Sequence, residues 1–246
     1  MDRFLYVAMT GASEALRLQA TNNHNLANAS TTGFRKDLAA FETRRVEGPG
    51  HASRAYATAG QSGWDASPGA LRATGRGLDV AVDGAGWIAV QGRDGGEAYT
   101  RAGDLRLDAA GNLVNGAGHP VVGDGGPLNV PPHASLLVGV DGTLSIVPLG
   151  QGPETTATVG RIKLVAPADA DLVKGEDGLF RLRDGGEAPP AAGVRIAPGT
   201  LETSNVDVAG AMVRMIELSR NFDLEVKAMR AAEENGAAAS QLLRMA

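Results

Sequence analysis

The stretch from Asn22 to Arg35, NNHNLANASTTGFR, joins an Asn-rich helix end to a glycine turn and an aromatic residue. Upstream of it, apolar and amide residues recur at alternating intervals of four and three, which is the seam of a heptad helix. The seam positions are Leu5, Met9, Ala12, Leu16, Gln19, Asn23 and Leu26. The same alternation recurs near the other end of the chain, at Val208, Met212, Met215, Ser219, Phe222, Val226 and Met229. The two patterns predict long terminal helices that pair along these seams.

The first predicted helix spans about residues 2–29, and few of its residues carry charge. Between Ala15 and Ser30 only Arg17 and, when protonated, His24 are charged, so the helix has little solvated face and is expected to contact several neighbours. The alternative is an amphipathic helix packed only on its own domain. The second predicted helix begins after residues 204–207, where Ser or Asn can cap it and an Asp suits its first turn, and it runs to about residue 243.

At the end of the first helix, Gly33 supplies a positive φ or a simple stop, and Phe34 is expected to fold back on the helix end. The side-chain amides of Asn23, Asn25 and Asn28 both donate and accept, so they suit hydrogen bonds across contacts between subunits. The alternative is a helix end that is closed by local Asx and ST turns.

The region between the helices has a β-like pattern. Residues 35–74 predict an extended connector, either ordered on neighbouring subunits or a flexible linker. Residues 75–200 predict a compact, turn-rich β domain, because short apolar runs alternate with turn signals. The runs cover residues 78–82, 87–90, 105–107, 136–140, 144–147, 162–165, 179–182 and 194–196. Asp-Gly pairs favour tight turns and begin at Asp83, Asp94, Asp124, Asp141, Asp177 and Asp184.

Composition excludes several classes of function. The 246 residues are 43% hydrophobic but only 4% aromatic, so a β core must be built mainly from aliphatic side chains. The net charge is −5 and basic residues form no block longer than a pair, so nucleic acid is not expected as a partner. The chain has no Cys, and it has no apolar run long enough to span a bilayer.

The sequence contains no pattern that carries catalysis or holds a cofactor. The four His residues are scattered, and no pair has the helical spacing of a zinc motif. The Asp residues lack the ligand spacing of known calcium loops. Neither a phosphate-binding glycine loop nor a nucleophile elbow is present. We therefore predict no catalytic residue, no cofactor and no metal.

The Asn-rich stretch resembles the N-terminal signature of flagellar rod and hook proteins, in which NLAN (residues 25–28) is followed by STTGFR (residues 30–35). Three later stretches are similar to that family in the same order, namely LDVAVDGAGW from Leu78, YTRAGD from Tyr99 and LETSNVD from Leu201. The opening MDRFLY and the late AAEEN are most similar to the proximal rod members. One departure is His24, where the family usually has an Asn.

The resemblance implies an α+β fold in which long N- and C-terminal helices, within residues 1–34 and 201–246, form a coiled-coil-like assembly domain around a central β domain. It implies a non-enzymatic structural subunit of the flagellar proximal rod, which polymerises through its terminal helices and transmits motor torque. The implied partners are other rod proteins, copies of itself and the flagellar export apparatus, without membrane insertion. The residues expected at subunit interfaces are Leu5, Met9, Leu16, Asn25, Asn28, Phe34, Met212, Met215, Phe222, Val226 and Met229.

Two alternatives belong to other classes of protein. A self-contained secreted or surface-binding β module would use the terminal helices as an internal coiled coil, but a lone helix pair needs a more polar outer surface. A cell-wall hydrolase acting beside the rod would need paired carboxylates, for which there is no signal.

The N-terminus lacks the features of a cleaved secretory signal, which on residues alone indicates the cytoplasm. The resemblance implies instead export without a cleaved signal and assembly in the periplasm.

Overall fold

The computed structural model describes residues 3–39, 41–45, 55–59, 63–152 and 154–245. The chain forms two compact units. The helical unit comprises Met1–Ala29, Lys36–Asp65 and Val206–Ala246, and the β unit comprises Ser30–Arg35 and Ala66–Asn205. A helix near each end and a β-rich region between them make the fold α+β, as the sequence predicts.

The helical unit contains both long helices and four short strands. Its elements are α1 (Arg3–Ala27), β1 (Asp37–Leu38), β2 (Phe41–Arg45), β3 (Ala55–Ala59), β4 (Gly63–Trp64) and, at the other end of the chain, α2 (Val208–Met245). β1 pairs with β4 and β2 pairs with β3, both antiparallel. These pairs fall where an extended connector was predicted. No single strand there has a strong apolar alternation, and each is defined by its backbone partner rather than by its own composition.

The two helices are antiparallel, because Asn22 of α1 contacts Ala211 near the start of α2 while Gly11 lies against Glu225, further along α2. The buried positions are Ala8, Ala12, Glu14, Ala15, Leu18 and Asn22 in α1, and Ala211, Leu218 and Ala232 in α2. The predicted seam is therefore wrong at three positions of α1, since residues 9, 16 and 23 are exposed and their neighbours at 8, 15 and 22 are buried. It is wrong in the same way at two positions of α2, where residues 212 and 219 are exposed and 211 and 218 are buried. Interaxial distance depends on side-chain size, so alanines at the contact let the helices approach closely.

The β unit is built from short strands. They are β5 (Leu71–Ala73), β6 (Val80–Asp83), β7 (Trp87–Gln91), β8 (Glu97–Thr100), β9 (Arg106–Leu107), β10 (Leu113–Val114), β11 (Val122–Gly123), β12 (Gly126–Pro127), β13 (His133–Val138), β14 (Thr143–Pro148), β15 (Ala157–Arg161), β16 (Leu164–Val165), β17 (Leu172–Lys174), β18 (Phe180–Leu182), β19 (Arg195–Pro198) and β20 (Thr200–Glu202). A single 3₁₀ turn, Asp169–Asp171, precedes β17.

The largest sheet has five antiparallel strands in the order β16-β7-β8-β18-β17, and β13-β14-β15 form a three-stranded sheet. The core between them is mainly aliphatic, as composition predicts, with Val80, Ile88, Val90 and Leu144 almost fully buried. Five of the six Asp-Gly pairs have their Gly at positive φ; at residues 124–126 the positive φ falls on Gly126 instead. Eight of the strands described in the β unit lie outside the predicted runs, because they are short or of mixed composition and give no long apolar run: β5, β8, β10, β11, β12, β15, β17 and β20.

The chain enters and leaves the β unit through paired strands. β5 pairs with β20 and β6 pairs with β19, both antiparallel. Beyond β20 the backbone N–H of Thr203 donates to the carbonyl of Ala70, and the side-chain amide of Asn205 donates to the carbonyl of Ser67. The incoming and outgoing segments are thus hydrogen-bonded to each other over several residues.

Candidate functional site

The four sequence stretches that resemble rod and hook proteins meet at one buried cluster, to which each contributes a side chain. Nη1 of Arg35 lies 2.6 Å from Oε1 of Glu202, and Nη1 of Arg101 lies 3.2 Å from Oε2 of the same carboxylate. The guanidinium carbons of Arg35 and Arg101 are 6.0 and 5.2 Å from the centre of the Trp87 ring, within cation–π range. We call Arg35, Trp87, Arg101 and Glu202 the motif junction.

The motif junction carries an excess of buried positive charge. Arg35 and Glu202 are each 1% exposed and Arg101 is 6% exposed, so two guanidinium groups share one carboxylate. Burial lowers the pKa of Arg101 from its ordinary value, and the Glu202 carboxylate opposes that shift. Nε of both arginines and Nη1 of Arg35 have no hydrogen-bond partner among the described residues, so the short Arg35–Glu202 contact is an ion pair without hydrogen-bond alignment. The cluster therefore depends on its single carboxylate.

Backbone groups also make close contacts at the motif junction. Gly33 has a φ of 65°, and its N–H donates to the Glu202 carbonyl at 2.8 Å. A Cβ at Gly33 would lie 2.2 Å from the carbonyl carbon of Arg101. Glu202 also accepts from the N–H of Gly69, and Arg101 Nη2 donates to the Gly84 carbonyl, both at 2.9 Å. A glycine is needed at residue 33 for two reasons. It adopts a positive φ, as predicted, and a side chain there would collide with the Arg101 backbone.

Phe34 belongs to the β unit, where Lys174 covers it. The Lys174 Nζ lies 4.0 Å from the ring centre and donates to the Arg35 carbonyl at 2.7 Å. Only 8% of Phe34 is exposed. The ring was expected to fold back on the end of the first helix. Within the β unit it is buried, and the turn at Gly33 directs residues 34–35 towards β17 and β20.

The amides near the end of α1 are bonded within the chain. Asn25 holds the backbone of Asp37 at two points, accepting from its N–H at 2.7 Å and donating to its carbonyl at 2.9 Å. Asn28 donates to the His24 carbonyl one turn earlier, and His24 Nδ1 lies 2.7 Å from the Asp37 carboxylate. The contacts of Asn25 with Asp37 fix β1 beside the helix. The hydrogen bond from Asn28 to His24 closes the helix end, and α1 ends two residues before its predicted end.

Asn22 is a buried amide that the sequence pattern did not single out. It is 7% exposed, and its Nδ2 donates to the carbonyl of Ala211 at 2.9 Å, which joins α1 to α2. Its neighbour Asn23, which the predicted seam used instead, is exposed. The run of two adjacent Asn residues hid which of them faces the partner helix.

Helix α2 is capped by Asp207 rather than by the predicted Ser204 or Asn205. The Asp207 carboxylate accepts from the N–H of Ala209 at 3.1 Å, and its carbonyl accepts from the N–H of Ala211 at 2.9 Å. The helix accordingly begins at Val208. Asn205 is engaged with Ser67 in the β unit, which leaves the cap position to the next acidic residue.

The predicted interface residues on the helices fall into two groups. Met9, Leu16 and Met212 are exposed by 51%, 50% and 49%, which is unusual for large apolar side chains. The other five are half-buried, namely Leu5, Met215, Phe222, Val226 and Met229. Further exposed apolar side chains that were not predicted are Tyr6, Val213, Ile216 and Leu224. The helical unit thus presents more apolar surface than the seam pattern indicated.

Neither a membrane span nor a metal cluster is found in the part of the chain that the structure describes. None of its helices is long and apolar enough to cross a bilayer. Over the same residues, no three His, Asp or Glu side chains come close enough together to hold a metal ion.

Comparison with known proteins agrees with this placement of the motifs. Residues 197–242 match the family described as "Flagellar basal body rod FlgEFG protein C-terminal", and residues 81–146 match "Flagellar hook protein FlgE/F/G D1 domain". The flagellar basal-body rod protein FlgF of Salmonella typhimurium is 42% identical, and that of Escherichia coli is 41% identical, each over the full length of both chains. FlgG of Bacillus subtilis is 33% identical, covering 95% of this chain and 96% of its own.

The identity to the two enterobacterial FlgF proteins exceeds that to the Bacillus FlgG, as expected from the opening residues and from the AAEEN stretch of α2. The family consists of structural flagellar proteins, so the prediction that the chain is not an enzyme is confirmed. Matches over the whole chain, together with the convergence of the four motifs, lead to one conclusion. The chain belongs to the flagellar basal-body rod protein family.

Proposed function

We propose that this protein is a structural subunit of the proximal rod of the flagellar basal body, which polymerises through its terminal helices and transmits motor torque. The observation that carries the proposal is the exposed apolar surface of the helical unit in a chain of this family, including Met9, Leu16 and Met212. Exposed apolar side chains on a helix pair favour burial against other subunits.

The motif junction supports a mechanical role. A subunit that transmits torque must resist shear where its chain passes between assembly helices and β domain. Residues 30–35 and 200–205 are held together there by the Arg35–Glu202 ion pair and by backbone hydrogen bonds, and β20 is also paired with β5. We infer that this arrangement keeps the two connecting segments from separating under load.

The proposal extends to partners and location. The subunit contacts copies of itself and other proximal and distal rod proteins, and it passes through the flagellar export apparatus without a cleaved signal peptide. It then assembles in the periplasm. The family of the chain supports these statements, which concern the cell rather than the isolated molecule.

The decisive experiment is to delete the gene and image purified basal bodies. We expect rods that stop early and cells that do not swim, both restored by the wild-type gene on a plasmid. Full-length rods and normal swimming in the deletion strain would contradict the proposal. A second strain carrying Met9→Ser, Leu16→Ser and Met212→Ser tests the helical surface; it should export a folded protein that does not enter the rod.

A further inference from the structure

We propose that the groove between α1 and α2 of one subunit binds the outward face of α2 from a second copy of this chain, through paired charges. This inference rests on the proposed function, and it names the partner and the chemistry of one contact between subunits. The groove has a volume of about 610 Å³. Its walls combine apolar side chains with carboxylates, and its defining residues are Leu18, Leu218, Leu224, Glu14, Glu217 and Glu225. We call it the acidic groove.

A carboxylate and a glycine stand side by side in the groove. Gly11 of α1 has no side chain, and the Glu225 carboxylate occupies that space, with atoms 2.7 Å from where a Cβ would be. A carboxylate thus stands at a position where a helix pair normally places an apolar residue. It lines the cavity with negative charge.

The negative charge of the groove is only partly compensated within the chain. Glu14, 8% exposed, has an ion pair with Arg17 at 3.5 Å, and Arg214 also lines the cavity. Glu217 and Glu225 make no hydrogen bond or ion pair with any residue that the structure describes. Three carboxylates facing one lining arginine favour an occupant that brings cations.

A complementary surface lies on the same helix. Val213, Ile216, Arg220 and Lys227 are exposed and recur at intervals of three, four and seven, on the side of α2 turned away from α1. We call them the basic stripe. Two apolar and two basic side chains on one face match the apolar walls and carboxylates of the groove. Within the described residues, Arg220 and Lys227 have no ion-pair partner of their own.

The charge spacings of the two surfaces agree. Arg220 and Lys227 are seven residues apart, about 10.5 Å along a helix, and Glu217 and Glu225 are eight apart, about 12 Å. Long basic side chains adjust easily over such a difference. Each copy carries both surfaces, so one copy can bind a second copy through its groove and a third through its stripe. A heterologous contact of this kind generates an open helical filament when its rotation does not close into a ring, and a filament is the form of a rod.

The test reverses the charge of each surface separately. The groove variant is Glu217→Lys with Glu225→Lys, and the stripe variant is Arg220→Glu with Lys227→Glu. Each is expressed alone in the deletion strain, and each should fail to swim and be absent from purified basal bodies. The control is Arg106→Glu with Arg195→Glu, two exposed residues of the β unit, which makes the same change in net charge as the stripe variant and should swim normally.

Co-expression of the two inactive variants separates this contact from effects within one chain. The reversed groove of one variant then faces the reversed stripe of the other, and the unchanged groove faces the unchanged stripe, so alternating copies are complementary. We expect swimming and incorporation to return to at least half of the wild-type level. An ion pair within a chain could not be restored in this way.

Three results would overturn the inference. One is normal swimming of either variant alone, and another is the absence of rescue when both proteins are exported with normal helicity. The third is failure of the groove variant while the stripe variant swims normally, which would mean that a different protein fills the groove. If Lys at residue 225 lowers helicity, the exposed Glu217→Lys change serves in its place. If only this inference is wrong, the deletion strain still has rods that stop early. If the proposed function is wrong, the deletion strain has full-length rods.

Discussion

At the scale of single residues, the β unit depends on the charge of Glu202. Replacing it by Gln keeps the shape and leaves Arg35 and Arg101 buried without a carboxylate. Removing one partner of a buried ion pair typically costs about 3–5 kcal/mol, so we expect the free energy of unfolding of the β unit to fall by that amount. Urea unfolding followed by Trp fluorescence measures it. Glu187→Gln is the control, because that carboxylate is 71% exposed and 3.9 Å from Lys163; its loss should be under about 1 kcal/mol.

Gly33 tests whether positive φ or lack of space matters more at the motif junction. Gly33→Ala should destabilise the β unit by clearly more than the roughly 1–2 kcal/mol that a left-handed conformation costs, because the new Cβ meets the Arg101 backbone. Gly178→Ala is the matched control, since Gly178 has a φ of 76° and open space around it. Thermal unfolding of the two variants gives the difference. Equal losses would mean that the clash is relieved without cost.

At the scale of the elements, Asn22 joins the two long helices. Asn22→Ala removes the hydrogen bond to Ala211, and the control Asn23→Ala changes its exposed neighbour. Asn22→Ala should lower the free energy of unfolding of the helical unit by about 0.5–1.5 kcal/mol relative to Asn23→Ala. Both changes give the same gain in helix propensity, so Asn23→Ala should be neutral or slightly stabilising. Circular dichroism at 222 nm follows both. Equal melting temperatures would show that the amide contributes nothing.

Phe222 is half-buried in α2, and we expect it to be more important in the assembly than in the isolated chain. Truncating a fully buried Phe to Ala costs about 3–5 kcal/mol, and the isolated helical unit should lose less because part of the ring is already exposed. Phe222→Ala should therefore be exported and keep a normal β unit, yet be missing from basal bodies. Phe222→Leu, which keeps apolar bulk, is the control. Incorporation of Phe222→Ala at the wild-type level would refute this role.

The comparison of sequence with structure is most informative at the helix pair. Periodicity placed both helices within a few residues, because a four-three alternation over seven seam positions has no other good explanation. It chose the wrong side of α1 because Met9 and Leu16 are more apolar than Ala8 and Ala15, whereas close packing favoured the smaller side chains. Apolarity alone does not reveal which of two apolar stripes on a helix packs against its partner helix within the chain.

At the scale of the whole molecule, the motifs were recognisable from sequence but their meeting point was not. Arg35, Arg101 and Glu202 each stand in a separate stretch, and a charged residue at each place is expected to be solvated. Their burial follows from strand pairings, such as β5 with β20, that link residues far apart in sequence. The many glycine turns were predictable because Asp-Gly pairs set them locally.

Truncation from the C-terminus tests this long-range dependence. A chain ending at residue 207 keeps β20 and Glu202, so its β unit should unfold at the same urea concentration as in the full protein. A chain ending at residue 199 loses both and leaves two buried cations unpaired, and it should be less stable by at least about 3 kcal/mol. Urea unfolding of the two truncated chains and the full chain decides the matter. Equal stability of the two truncated chains would contradict it.

The motif junction also has a consequence for the order in which the chain folds. Lys174 bonds the Arg35 carbonyl across 139 residues, and Glu202 pairs with Arg101 across 101. When the chain emerges with its N-terminus first, Arg35 therefore has no carboxylate to pair with until Glu202 has emerged, at the start of the last fifth of the sequence. Contacts of such separation close slowly. We therefore expect the motif junction to form late, once Glu202 has joined Arg35 and Arg101.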